Sequence, residues 1–234
     1  PMPWKYPHAM ILAAGRGERL RPLTDHLPKP LIKIGDRRLI EHHLVALAQA
    51  GVDQVVINLD HLGDMIKSHI GDGKRYGLSV TYSHEPEGAL DTGGGIRQAL
   101  RLMTTDPFVV LNGDIWTDLQ LDSLPEGIDG QGHLLLVDNP AHNPAGDFHL
   151  FGQKVLNQPV GNSVSLTFSG IGIYRHSLFN DSPRGRFPLA DHLRQAADGN
   201  QLSGQHFSGK WTDVGTVDRL AEARRLAIGQ NNSR

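Results

Sequence analysis

The sequence predicts an α/β protein, a mainly parallel sheet flanked by helices with antiparallel additions in its second half. Three observations carry this expectation. Short runs that are apolar on both faces recur before residue 115, as strands covered on both sides of a sheet must be. Helical stripes alternate with them, the pattern of crossover connections between parallel strands. Beyond residue 130, strand-like segments follow one another with few helical stripes between them, as antiparallel neighbours do.

"HAMILAA" (8–14) reads as the first strand and "QVVINL" (54–59) as the next. Between them, "RRLIEHHLVALAQAG" (37–51) places Leu39, Ile40, His43, Leu44, Leu47 and Ala48 on one stripe, and Gly51 closes that helix. A helix near 61–71, a strand at 78–83, a helix over 93–104 and the strand "PFVVLNGD" (107–114) continue the alternation. "HLLLVDNP", "DFHLFGQKVLN" and "SVSLTFSGIGIY" then supply the antiparallel additions. They are expected to wall a second substrate. A helix over 189–198, a strand over 202–208, the turn "KWTDVGT" (210–216) and a last helix over 217–228 complete the chain. One domain over 8–228 is expected, with an N-terminal extension over 1–7 and a frayed tail over 229–234.

The composition excludes several functions. Lys plus Arg total 23 against 25 Asp plus Glu, a net charge of −2, so there is no basic field for sequence-independent nucleic-acid binding. The absence of cysteine removes disulfides, thiolate nucleophiles and cysteine zinc sites. No segment approaches the ~20 apolar residues of a membrane span, and "PMPWKYPH" is not a secretory signal. A cytoplasmic protein without nucleic-acid or membrane partners is expected. The short segment after the last helix predicts a monomer.

The chemistry concentrates at strand ends. "LAAGRGERLRP" (12–22) lacks the third glycine of a dinucleotide-binding fingerprint and the Gly-Lys-Ser/Thr of a P-loop. It is therefore a glycine loop carrying Arg16, Arg19 and Arg21, followed by Lys29 between Pro28 and Pro30. Backbone amides and guanidinium groups in such a loop bind phosphate oxygens; a basic surface loop is the alternative. "LNGD" sets Asp114 at the end of a buried strand, and "WTDVGT" sets Asp213 just before the last helix. Ligands of open α/β sheets lie outside the carboxyl ends of strands, and two carboxylates together with phosphate oxygens suit Mg²⁺. Each aspartate alone could equally cap a turn. His42 and His43 are adjacent on a helix, face different directions and make no metal pair. Trp116 packs near the acidic loop or is simply buried.

"LAAGRGERLRPLT", "PKPL", "LNGD" and "WTDVGT", in this order, resemble the sugar-1-phosphate nucleotidyltransferase family over roughly residues 8 to 226. The resemblance implies a Rossmann-like, GT-A-like core on which a nucleoside triphosphate and a sugar 1-phosphate are joined with Mg²⁺ and pyrophosphate is released. It implies that Ala13, Ala14 and Gly15 meet the nucleoside, that Gly17 and Arg19 hold the triphosphate, and that Lys29 contacts the α-phosphate. Asp114 and Asp213 would hold the metal. "ALDTGGGI" (89–96), with Thr92 and Gly93, would close over the base beside Asn112 and Glu85; a plain glycine-rich helix entry is the alternative. For the sugar, Gly146 and Asp147 of "GDF" and Ser169 and Gly170 of "TFSG" are the candidates, with a hairpin-bracing acid as the other reading of Asp147. "DTGGGI", "NGDIWTD", "LVDNPAHNPAGDFHL" and "LTFSGIGIY" are most similar to the short bacterial members of cell-wall recycling, which implies UTP and N-acetylmuramic acid α-1-phosphate as substrates. Glucose or mannose 1-phosphate with dTTP, UTP or GTP is the alternative. The chain lacks the family's Glu-Lys-Pro lysine for the sugar phosphate; Lys154 of "GQKVLNQP" stands near that place, and other Arg or His residues are open candidates. A non-catalytic nucleotide-sugar sensor is the reading from another class.

Overall fold

In the computed structural model, which describes residues 6–85 and 90–231, the apolar runs become the centre of one sheet. β1 (His8–Leu12) lies between β4 (Gln54–Leu59) and β6 (Phe108–Asn112), and β5 (Ser79–His84) flanks β4, all in parallel. Side chains alternate between faces along a strand, and here both faces are covered. Ala9, Ile11, Val55 and Ile57 pack against α1 (Leu39–Ala50) and α2 (Gly63–Ile70), whereas Met10, Val56 and Val110 pack against α3 (Asp91–Ala99) and α4 (Leu189–Asp198). Each fully buried aliphatic side chain contributes about 1.5–3 kcal/mol.

The second half adds β8 (Gly132–Val137), β9 (Phe148–Phe151), β10 (Lys154–Leu156), β11 (Val164–Tyr174) and β12 (Leu202–Phe207). The sheet order is β5-β4-β1-β6-β11-β8-β12-β10-β9, and β9 pairs again with β11. β11 runs antiparallel to β6, β8 and β9, while β12 is parallel to β8. The additions therefore curl into a closed ring, which leaves no free edge at that end of the sheet.

Two expectations change. "KWTDVGT" is not only a turn: β13 (Trp211–Asp213) pairs antiparallel with β7 (Ile115–Thr117), because the segment lies beside the acidic loop after β6. The third helix begins at Asp91, at a left-handed φ of 62°, and passes into a 3₁₀ turn over Leu100–Leu102. A small ribbon of β2 (Lys33–Ile34) and β3 (Arg37–Arg38) precedes α1. With Leu20, Ile32, Ile34, Leu39, Trp116 and Val214, α5 (Val217–Asn231) forms a third core beneath the strand ends. Trp116 is thus a buried floor.

Tyr6, from the expected extension, is buried and donates to the Pro125 carbonyl at 2.6 Å. The last helix runs past residue 228 to Asn231. Residues 1–5 and 232–234 of the expected extension and tail lie outside the described residues. Among the described residues no helix is long and apolar enough to cross a membrane.

Candidate active site

The carboxyl ends of β1, β4, β5 and β6 open into one cavity of about 220 Å³. It is lined by Leu12 to Gly15, Asn58, Glu85, Asp91, Thr92 and Asn112 to Asp114, with Lys29 and Pro30 closing it from the side. Its wall is an internally bonded chain: the Ala13 amide donates to Asn58 Oδ1 at 2.7 Å, Asn58 Nδ2 donates to Glu85 Oε1 at 2.6 Å, and the Leu90 amide donates to Glu85 Oε2 at 2.7 Å. Burial pushes the Glu85 carboxyl above its ordinary range, against these bonds, which favour the carboxylate. These bonds fix the positions of the backbone and side-chain groups along this wall.

A second opening adjoins the first and shares Lys29 with it. Arg16, Gly17, Glu18, Arg19, Lys29, Arg186 and Gly215 line this cleft. Gly17 adopts a left-handed φ of 66°, and its carbonyl accepts from the Leu20 amide at 2.9 Å and the Thr24 hydroxyl at 2.8 Å. An L side chain there would be strained and would press on Thr24. Lys29 is buried, and its Nζ lies 3.0 Å from Asp114 Oδ2. Arg16 Nε lies 3.6 Å from Asp60. Arg21 turns away from the cleft to Asp25 at 3.3 Å and Glu18 at 4.0 Å. The Arg16 and Arg21 guanidinium groups thus have unequal places, one at the cleft and one on the surface.

Asp114 and Asp213 are brought together by the small β7–β13 ladder. Asp213 stands opposite Ile115, and the Val214 amide donates to the Asp114 carbonyl at 2.7 Å. Asp213 Oδ1 lies 3.0 Å from Arg219 and 3.7 Å from His142, without a hydrogen-bonding partner among the described residues. Beneath this loop, burial holds the His43 imidazole at about 4, so it is neutral at pH 7. The described residues contain no group of three or more acidic, His or Cys side chains able to cage a metal. Asp114 lines the cavity, whereas Asp213 lines neither opening and is joined to Asp114 through the backbone pairing of the ladder; two hard carboxylates are the ligand type that Mg²⁺ takes, with substrate phosphates and water completing its shell.

The structure therefore brings together Ala13, Ala14, Gly15, Thr92, Asn112 and Asp114 at the cavity, and Gly17 and Arg19 at the cleft, with Lys29 between. Other expectations fare differently. The Gly93 and Gly94 amides both donate to the Phe187 carbonyl at 3.1 Å, and a side chain at Gly93 would strike the Phe187 ring. Those glycines admit a neighbouring segment of the protein, as a helix entry does, rather than a base. Ala89, the first residue of that stretch, lies outside the described residues. Asp147 braces its own hairpin: its carboxylate accepts from Asn143 Nδ2 at 3.0 Å and the Phe168 amide at 2.8 Å. Ser169 is fully buried and its hydroxyl accepts from the Ile171 amide at 3.1 Å. Gly146 turns the same hairpin at φ 70°. Gly170, at φ 85° in the β11 bulge, leaves room for the Asn112 side chain, which would stand 2.7 Å from an added Cβ. It serves the cavity from behind.

Asn58, Asp60, Asp91 and Arg186 were not singled out in the sequence. Asn58 had a readable sign, since it is the polar residue near the carboxyl end of an apolar strand, as Asn112 is.

The nucleotidyl transferase family model matches residues 8–143. The N-acetylmuramate alpha-1-phosphate uridylyltransferase of Neisseria meningitidis serogroup B is 49% identical over 94% of this chain and 97% of its own length. The enzyme of the same name from Caulobacter vibrioides is 31% identical over 94% of this chain and 96% of its own. Among solved structures, one described as a glucose-1-phosphate thymidylyltransferase from Bacillus anthracis superposes with a TM-score of 0.81 at 25% identity, covering 94% of each chain. The Rossmann-like, GT-A-like sheet and these matches agree: the chain belongs to the sugar-1-phosphate nucleotidyltransferase family.

Proposed function

We propose that the protein transfers a uridylyl group from UTP to the phosphate of N-acetylmuramic acid α-1-phosphate, giving UDP-N-acetylmuramic acid and pyrophosphate. The observation that carries this reading is the near full-length similarity to the Neisseria meningitidis enzyme, 49% identical over 97% of that enzyme's length. The site supports it in kind. A cavity of about 220 Å³ takes a base and part of a ribose but not three phosphates as well, so the triphosphate runs past Lys29 into the cleft of Gly17 and Arg19.

In this reading Lys29 sits where the α-phosphate passes from cavity to cleft and stabilises the charge that develops as the sugar-phosphate oxygen attacks. Asp114 orients Lys29 through their 3.0 Å contact. No side-chain base is needed, because the attacking phosphate is already ionised. Asp114 and Asp213 would hold Mg²⁺, which supplies Lewis-acid polarisation of the phosphate oxygens. Arg219 and His142 orient the Asp213 carboxylate.

Pyrophosphate release by the protein with a panel of sugar 1-phosphates against UTP, dTTP, GTP and CTP tests the assignment. The expected optimum is UTP with the muramic substrate. A clear preference for glucose or mannose 1-phosphate, or nucleotide binding without any pyrophosphate release, overturns it.

A further inference from the structure

We propose that Arg219 makes Asp213 a one-oxygen metal ligand and so sets a preference of the acidic ladder for Mg²⁺ over Ca²⁺; this rests on the nucleotidyl-transfer reading above. The two aspartates are held alike. Lys29 Nζ lies 3.0 Å from Asp114 Oδ2, and Arg219 Nη1 lies 3.0 Å from Asp213 Oδ1. Asp213 Oδ1 is buried, with His142 Nε2 at 3.7 Å from the same atom, so what this carboxylate exposes is Oδ2. Each aspartate gives one oxygen to a cation of the protein and keeps the other for a ligand.

Arg219 has little freedom to leave its carboxylate. It stands in the first turn of α5, its side chain is only 12% exposed, its Nε is buried, and its amide donates to Thr216 Oγ1 at 3.4 Å. Gly215 makes the room for it. An added Cβ there would strike Arg219 Nη2 and would stand 3.3 Å from Arg19 Nη2. Gly215 is not left-handed, so the glycine supplies space rather than backbone freedom. Two guanidinium groups thus meet over one glycine, Arg19 lining the cleft and Arg219 turned to the ladder.

The chemistry of the two ions gives this arrangement its consequence. Mg²⁺ holds six oxygens in strict octahedral geometry and takes one oxygen from each carboxylate, whereas Ca²⁺ takes more ligands and often both oxygens of one carboxylate. A guanidinium fixed on Oδ1 bars the second mode. Groups behind a metal ligand set its orientation, and the planar arginine fork fixes a carboxylate more firmly than an ammonium does. Arg219 is in this sense a positioning residue, acting through Asp213.

The dissociation constant of UTP, measured by calorimetry in Mg²⁺, in Ca²⁺ and in chelator, tests the proposal. The unaltered protein is expected to bind UTP more tightly in Mg²⁺ than in Ca²⁺ by about tenfold or more, the range over which groups behind a ligand act. Arg219→Met and Gly215→Ala should each narrow that ratio to about twofold, while Arg219→Lys, which keeps the charge, retains part of it. The ratio cancels any loss common to both ions, so a weakened fold or a displaced Arg19 does not imitate the result, and Gly215→Ala decides if Arg219→Met does not fold. Equal affinity in the two ions for the unaltered protein, or a preference that survives Arg219→Met or Gly215→Ala, overturns the proposal while leaving the reaction in place. UTP binding as tight in chelator as in Mg²⁺ overturns the metal reading. If the unaltered protein releases no pyrophosphate with any sugar 1-phosphate, the reaction itself is overturned.

Discussion

The cavity and the adjoining cleft share Lys29 but are built by different means. The cavity wall is a chain of hydrogen bonds that runs from the Ala13 amide through Asn58 and Glu85 to the Leu90 amide. The cleft is a set of cations on loops, two of them held by carboxylates and two not. Reading a neutral base demands fixed donors and acceptors, since an unmade buried hydrogen bond is costly. Holding phosphate demands only charge within reach. Substitutions of the exposed cations in the cleft should therefore alter turnover and substrate affinity with little effect on stability. Substitutions in the cavity wall should alter stability and nucleotide affinity together.

The largest effect is expected at the acidic ladder beside the cavity. Asp114→Asn and Asp213→Asn remove the carboxylates that are proposed to hold the metal, and Asp114→Asn also frees Lys29. Turnover measured by pyrophosphate release is expected to fall by several kcal/mol of transition-state stabilisation, with a raised Mg²⁺ requirement. Full turnover at ordinary Mg²⁺ would separate these residues from the chemistry.

An intermediate effect is expected in the cavity wall. Asn58→Ala leaves the Ala13 amide and a Glu85 oxygen without their partner, at about 1–3 kcal/mol. That lowers Tm by about 2–4 °C per kcal/mol and raises KM for UTP. A weakened KM with unchanged Tm would mean that the wall is not preorganised in the way described.

The smallest effect on catalysis belongs to a network remote from both openings. Burial pushes the Glu41 carboxyl up, but the Arg38 amide, Tyr76 and His69 outweigh it and hold it at about 2. A carboxyl held below its unfolded range stabilises the fold above pH 4.5, and the contribution is lost as pH falls toward 2. Glu41→Gln should therefore lower Tm at neutral pH, with the gap to the unaltered protein closing in acid. Kinetic constants for both substrates should not move.

Much of this was legible in the sequence, and the physical reason separates what was from what was not. β1, β4 and β6 show as apolar runs because both their faces are buried, and the small residues Ala13 to Gly15 and the polar Asn112 and Asp114 at their ends mark the crevice. Lys29 is readable because two prolines fix its neighbours. Of the two readings open for Asp147, the hairpin-bracing acid matches the bonds it makes, and the Ser169 hydroxyl is taken by the Ile171 amide; an acid or hydroxyl that serves its own hairpin looks in sequence like one free for a sugar. Arg186 gave no sign at all. Its position depends on contacts between Leu189 and Thr92, 97 residues apart, and no local pattern encodes such a pairing.

Lys29, at the junction of cavity and cleft, is the residue proposed to stabilise the transferring phosphate. Single-turnover pyrophosphate release from UTP and N-acetylmuramic acid α-1-phosphate, compared between the unaltered protein and Lys29→Ala at saturating substrates, tests it most directly. The expected rate for Lys29→Ala is lower by about 10²–10³, the ~2.7–4 kcal/mol of one preorganised donor. An unaltered rate in Lys29→Ala would contradict it.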